Sequence, residues 1–169
     1  IMYRALDLAK EGFLCLIGIK PDRPCSGYGY IKRGKGLRQN VFYVKHFKEK
    51  PPLGEARRLI REKDIFWNSG IFCFKAETIL REIQSYVPQL YSKIIKIKNK
   101  KDIPAIWRKI RPISIDYGLL EKSKNLIMIA AKLFWRDLGS WDALFDVLPK
   151  DRRNNILLAD ALNLDTAST

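Results

Sequence analysis

The sequence predicts an α/β fold, a mixed sheet flanked by helices. Three observations point to it. Strand-like and helix-like segments alternate along the whole chain. Two short runs, residues 13–20 and 126–131, are almost continuously apolar, the pattern of strands buried on both faces. Between them lie amphipathic stretches at helical spacing, such as Leu53, Ala56, Leu59 and Ile60 set against Arg57, Arg58 and Arg61. The chain has 169 residues, enough for one domain with a real core. Its 47% hydrophobic and 30% charged residues place it among globular rather than disordered chains. No apolar run approaches a membrane span and no signal peptide pattern is visible.

In order, residues 1–10 have helical spacing (Met2, Leu6, Ala9) and stop at Gly12, a fitting C-terminal glycine. The first buried strand follows, then a loop over 21–29 with two prolines and Gly27-Tyr28-Gly29. Residues 28–32 and 41–47 read as strands, with a hairpin-like return at Gly34-Lys35-Gly36. The arginine-bearing helix leads to Phe66-Trp67-Asn68-Ser69-Gly70-Ile71-Phe72, an aromatic and β-branched strand interrupted by small polar residues. Ile79, Leu80, Ile83 and Val87 form another helix, which Pro88 breaks; a second helical piece follows through Leu90 and Ile94. Ser114 is placed to cap a helix running through Glu121. After the strand over 126–131 come a loop over 133–139, a helix capped by Ser140 with Asp142 in its first turn, and a polar turn at 149–155. Residues 1–150 are expected to form one domain and 151–169 a linker or the start of a β-rich segment. Opening on a helix that feeds a buried strand suggests entry midway into a larger sheet, with an open edge.

The formal charge of +14 admits nucleic acid, an anionic membrane surface or small anionic substrates as partners. Residues 93–111 carry eight Lys or Arg against one Asp, with Ile94, Ile95, Ile97 and Trp107 interleaved. A nucleic-acid groove uses such a mixture, but so does a solvated helix face, and no binding motif frames it. Three cysteines and a lone His46 share no zinc-ligand spacing. Cys15 and Cys73 sit in apolar runs and read as inert core thiols, which suits a reducing cytoplasm.

Three constellations carry chemistry. Phe47-Lys48-Glu49-Lys50-Pro51 ends a strand with a carboxylate, an ammonium and a proline stop. Glu49 can accept hydrogen bonds from two vicinal hydroxyls and Lys50 can offer a point charge to a phosphate. The plain alternative is a solvated strand end. Gly27 and Gly29 either let a backbone approach a ligand or only shape a turn. Asn68, inside an apolar strand, needs partners, because an unpaired buried amide costs roughly 1–3 kcal/mol. Asp137, in Trp135-Arg136-Asp137-Leu138-Gly139, follows a strand and precedes a helix; it can hold Mg²⁺ or satisfy a turn, with Arg136 as its ion-pair partner or a phosphate contact. Asp116 and Glu121 lie five apart on one candidate helix, a spacing that does not share a face, so no paired-carboxylate hydrolase is indicated.

Together these motifs resemble the sugar-1-phosphate nucleotidyltransferases, most closely the mannose-1-phosphate guanylyltransferase branch. Ile19-Lys20-Pro21-Asp22-Arg23-Pro24 with Gly27-Tyr28-Gly29-Tyr30-Ile31 resembles I-x-P-T-R-P-E-T-G-Y-G-Y-I. Phe47 to Pro51 resembles F-x-E-K-P, Trp67 to Phe72 W-N-S-G-I/M-F, Ser114 to Tyr117 S-I-D-Y with Glu121-Lys122 in the family's place, and Trp135 to Trp141 W-S-D-V-G-S-W. Five motifs in family order, over almost the whole chain, make the resemblance specific. It implies a Rossmann-like, GT-A-like sheet of the nucleotide-diphospho-sugar transferase type. Gly29 would meet the sugar through its backbone, Glu49 its hydroxyls, and Asn68 the sugar again. Lys50 would bind the sugar phosphate and act as the catalytic lysine. Asp137 would be one of two aspartates on Mg²⁺, the implied cofactor. The implied reaction joins mannose 1-phosphate and GTP into GDP-mannose and pyrophosphate.

Asp22, Cys25, Ser26 and Arg136 depart from the family pattern at Thr, Glu, Thr and Ser. The family's glycine-rich loop with its arginine and its second metal-binding aspartate are not among these residues, so the expectation is the sugar-binding half of the domain, with the N-terminal half missing and the chain inactive by itself. Other expectations are a cytoplasmic location, a homodimer, and no nucleic-acid or membrane partner. The rivals are a nucleotidyltransferase for another sugar 1-phosphate, a non-catalytic paralogue and, from charge alone, a nucleic-acid-binding module.

Overall fold

The alternation seen in the sequence becomes, in the computed structural model, α1 (Met2–Lys10), β1 (Leu14–Ile19), β2 (Tyr30–Arg38), β3 (Val41–Lys48), α2 (Leu53–Leu59), β4 (Ile65–Cys73), α3 (Ala76–Tyr86), α4 (Pro88–Ile94), α5 (Ile103–Trp107), β5 (Leu126–Ala131) and α6 (Trp141–Val147). A 3₁₀ turn at Lys100–Asp102 precedes α5, and a π-helical turn spans Asp116–Leu120. Residues 1–139 and 141–158 are described, apart from the side chain of residue 142. The chain divides into two units, Ile1–Leu133 and Phe134–Thr169.

In the first unit, β1 is buried along its full length, as its apolar run requires. It runs parallel to β5 in unbroken register, from Leu14 opposite Leu126 to Ile19 opposite Ala131. Alternation sends successive side chains to opposite faces. Cys15, Ile127 and Ile129 meet Ala5, Leu8 and Ala9 of α1 on one face. Leu14, Leu16, Leu126 and Met128 meet Ile31, Phe47 and Phe66 on the other. Burial, and Cys73 directly across the strand pair, push the Cys15 thiol up to about 12.

The other pairings are antiparallel, giving the mixed α/β sheet expected, but its strands close into a ring ordered β1-β4-β2-β3-β5. The expected open edge is corrected here. Register shifts at Arg33, Gly36 and Arg38 bend the β2–β3 ribbon, so Val41–Tyr43 reach across to Ile129–Ile127 of β5 while Lys48 still pairs with Tyr30. The same shifts correct the expected return at Gly34-Lys35-Gly36. Those glycines lie inside β2, and the chain turns at Gln39 and Asn40, with Asn40 at φ +56°. Glycine in a strand marks a bulge as readily as a turn.

In the second unit, Arg136 lies over the Phe134 ring at 5.1 Å and donates to the Trp135 carbonyl at 3.0 Å. Asp151 accepts from the Arg153 and Asn155 backbone N–H groups, 2.8 Å each, closing the expected polar turn. The predicted cap Ser140, the side chain of Asp142 and residues 159–169 of the expected C-terminal segment lie outside the described residues. No helix among the described residues is long and apolar enough to cross a membrane.

Candidate functional site

The site lies where β3 ends and β4 breaks its regularity. Pairing of β4 with β1 slips between Leu16 opposite Phe72 and Gly18 opposite Asn68, so Ser69, Gly70 and Ile71 bulge out of the ladder. Side chains close the bulge. The Asn68 carboxamide oxygen accepts the Gly70 N–H at 3.2 Å, and Ser69 Oγ accepts the Ile71 N–H at 3.3 Å. Gly70 takes φ +75°, a conformation that side chains other than glycine's disfavour. Asn68 is buried, and with its oxygen committed to the bulge its NH₂ is the group it can turn to a ligand.

The loop over 21–29 is tied down beside this bulge. The Tyr30 hydroxyl donates to the Cys25 carbonyl and accepts the Cys25 N–H, both at 2.9 Å. Tyr28 packs edge-on against Trp67, with centroids 5.0 Å apart. The Asn68 N–H then donates to the Gly29 carbonyl at 2.7 Å. A Cβ at Gly29 would lie 2.6 Å from Glu49 Oε2, 3.0 Å from the Phe47 ring and 3.2 Å from the Asn68 Cβ. Only glycine fits among these three side chains. The structure therefore gathers Gly29, Glu49 and Asn68 into one contact group.

Glu49 is buried, 8% exposed, just past the end of β3. Burial raises its carboxyl above the ordinary value, the nearby Asp116 and, less strongly, Glu121 add to the rise, and Lys50 opposes it. Lys50 Nζ lies 3.4 Å from Glu49 Oε1 and is well exposed. Lys50 itself holds φ +42° immediately before the buried Pro51. A non-glycine residue in that region costs of order 1–3 kcal/mol and persists only where its surroundings impose it. The arrangement is a buried acceptor, a buried amide donor and an outward cation. It suits hydroxyls within and an anion at the rim.

Nothing in the sequence assigns Glu121 a role in the site, and on an α-helix its five-residue separation from Asp116 predicts different faces for the two. The structure corrects this. The expected helix from Ser114 is a π-helical turn, in which the Glu121 N–H donates to the Asp116 carbonyl at 3.0 Å. The i→i+5 turn ties the Glu121 backbone to the Asp116 carbonyl, and both carboxylates act on Glu49. Ser114 still serves its entry: its hydroxyl accepts the Tyr117 N–H at 3.4 Å and its carbonyl the Gly118 N–H at 2.9 Å. Buried Leu119 and Leu120 anchor the turn, and Glu121 Oε1 accepts the Glu49 N–H at 3.0 Å. Two acids five apart around a buried Leu-Leu pair were the available signal.

Asp137 belongs to the second unit, exposed, its carboxylate beside Gly139, where a Cβ would lie 3.6 Å from both oxygens. Among the described residues no three His, Cys, Asp or Glu side chains cluster to hold a metal by themselves. One open carboxylate fits Mg²⁺ only as a partial ligand, since that ion commonly takes one or two carboxylates with substrate phosphates.

An apolar cavity lies elsewhere in the first unit. It measures about 580 Å³ and is lined by Leu90, Ile94, Ile97, Trp107, Ile110 and Pro112. Its walls are mostly apolar, with Arg111 and Ser114 as the polar lining, and Lys96, Lys98, Lys100 and Lys101 are exposed.

Fold and site define an α/β protein whose sheet carries, at one mouth, a buried carboxylate, a buried amide and an exposed ammonium. The Nucleotidyl transferase family model matches residues 2–154, and the chain belongs to that family. It is 34% identical to a mannose-1-phosphate guanylyltransferase of Sinorhizobium fredii over 95% of this chain and 33% of that protein. It is 35% identical to one of Klebsiella pneumoniae over 93% of this chain and 36% of that protein. The chain thus spans about a third of the length of these curated relatives. Among solved structures, that of mannose-1-phosphate geranyltransferase from Thermus thermophilus superposes with a TM-score of 0.77 at 30% identity, over 90% of this chain and 45% of that one.

Proposed function

We propose that these residues form the sugar-phosphate side of a site that transfers a guanylyl group from GTP to mannose 1-phosphate, giving GDP-mannose and pyrophosphate. The convergence of Gly29, Glu49 and Asn68, with Lys50 at the rim, carries the proposal. Names of relatives at 34% and 35% identity support the choice of sugar and nucleotide.

In this site Glu49 accepts hydrogen bonds from vicinal sugar hydroxyls, and the Asn68 NH₂ donates to another. Gly29 admits the sugar against its backbone. Lys50 neutralises the phosphate, one of whose oxygens attacks the α-phosphorus of GTP while pyrophosphate leaves. Charge neutralisation and alignment dominate such chemistry. Asp137, in the second unit, would supply one ligand to Mg²⁺, an ion that offsets negative charge on phosphates. No residue here is assigned to grip the nucleotide. The free thiols Cys15, Cys25 and Cys73 support the cytoplasmic location.

Calorimetric titration with mannose 1-phosphate tests the sugar side. Binding that exceeds that of mannose and of inorganic phosphate separately is the expected result. Preference for a different sugar 1-phosphate would replace mannose; no binding to any sugar phosphate would favour a non-catalytic relative. Steeply salt-dependent binding of RNA or DNA in their place would favour the nucleic-acid module.

A further inference from the structure

We infer that Glu121 is a positioning residue for the sugar-phosphate site, clamping the Glu49–Lys50 turn through the Glu49 N–H. The inference rests on the function proposed above and adds a residue to it.

Four observations converge. The Glu121 carboxylate accepts the Glu49 N–H at 3.0 Å across 72 residues of sequence, a contact between the π-helical turn and the end of β3. The residue after the clamped amide, Lys50, holds a left-handed backbone in front of a proline, where neither local preference favours it. Something beyond local sequence must hold that turn. On the far side, Pro51 is buried and supplies no N–H, so the Glu49 N–H is the hydrogen-bond handle immediately before Lys50. The clamp is itself fixed. Leu119 and Leu120 are buried, and a Cβ at Gly118 would lie 3.4 Å from Val87 and 3.6 Å from Ile113.

The consequence is directional. Glu49 sits against Gly29 through its own carboxylate, so its side chain has a second restraint when the clamp is cut. Among the described residues, Lys50 has only its backbone conformation and its 3.4 Å approach to Glu49. Losing the clamp should therefore impair the grip on phosphate more than the grip on hydroxyls. An orphaned N–H is a structural defect as well, so the test must separate positioning from folding.

In the full chain, Glu121→Ala and Glu121→Gln are compared by amide hydrogen exchange at Glu49 and by titration with mannose 1-phosphate and with mannose. Glutamine keeps a carbonyl oxygen of the same reach. Glu121→Ala is expected to speed Glu49 exchange and to weaken mannose 1-phosphate about tenfold while weakening mannose less. Glu121→Gln should restore both to within about threefold of the parent. Unchanged exchange and affinity in Glu121→Ala would overturn the inference. So would equal losses in the alanine and glutamine variants, since charge and not the hydrogen bond would then be responsible. If the parent binds no sugar phosphate, the function proposed above fails, while accelerated exchange at Glu49 still decides whether the clamp exists.

Discussion

The β1–β5 pair and the mouth formed by Glu49, Lys50 and Asn68 are built by opposite means within one sheet. Along β1–β5 six residue pairs run in register without interruption, and every residue is apolar and, except the half-buried Ala130, buried. At the mouth the ladder slips, Lys50 takes a left-handed backbone and a carboxylate is buried. Regular pairing satisfies backbone groups at no local strain. Irregular pairing exposes polar groups in a chosen direction, and it is stable only because the regular part holds it. The contrast implies that substitutions in the first region should change stability, and those in the second should change ligand affinity.

The largest expected effect is in the first region. Ile127 of β5 is fully buried in the core that the sheet forms with α1, so Ile127→Ala should cost about 2–5 kcal/mol of stability, read from urea denaturation, with the affinity of the folded fraction unchanged. An affinity loss of similar size would break the division. Asn68→Ala reverses the pattern: mannose 1-phosphate affinity should fall by about 1–3 kcal/mol by calorimetry, with a smaller change in stability. Lys50→Gly sharpens the contrast further. Relief of about 1–3 kcal/mol of backbone strain, less about 0.5–1 kcal/mol for glycine's freedom when unfolded, should leave the protein slightly more stable while it loses the phosphate. A clear loss of stability would show that Lys50 is not strained.

The smallest effect is a pH dependence. The Glu49 carboxyl is raised above 4.5 in the folded chain, first by burial and then by Asp116. A raised carboxyl binds its proton more tightly when folded, so its contribution to stability is present below the unfolded pKa and is lost as pH rises through the folded one. Glu49→Gln should therefore raise the melting temperature relative to the parent at neutral pH, and the gain should vanish below about pH 4. A gain that grows on acidification would reverse the sign of the shift.

The regular region was legible in the sequence because burial on both faces writes itself as an uninterrupted apolar run, at Leu14–Ile19 and at Leu126–Ala131. Asn68 was legible because a polar residue flanked by aromatic strand residues needs partners, and Glu49 and Lys50 because the strand before them ends in a carboxylate, an ammonium and a proline stop. Geometry that depends on backbone irregularity was less visible. Gly34 and Gly36 signal a turn or a bulge equally well, and the ring closure depends on which they make. The π-helical turn leaves no mark in side-chain periodicity, so the spacing of Asp116 and Glu121 was read against an α-helix and the clamp on Glu49 was missed.

The most direct measurement is a titration of the ¹⁵N-labelled chain with mannose 1-phosphate, followed residue by residue. The account predicts saturable shifts centred on Gly29, Glu49, Lys50 and Asn68, with little change along Leu126–Ala131. Shifts confined to the apolar cavity at Leu90, Ile94 and Trp107, or none at the mouth, would contradict it.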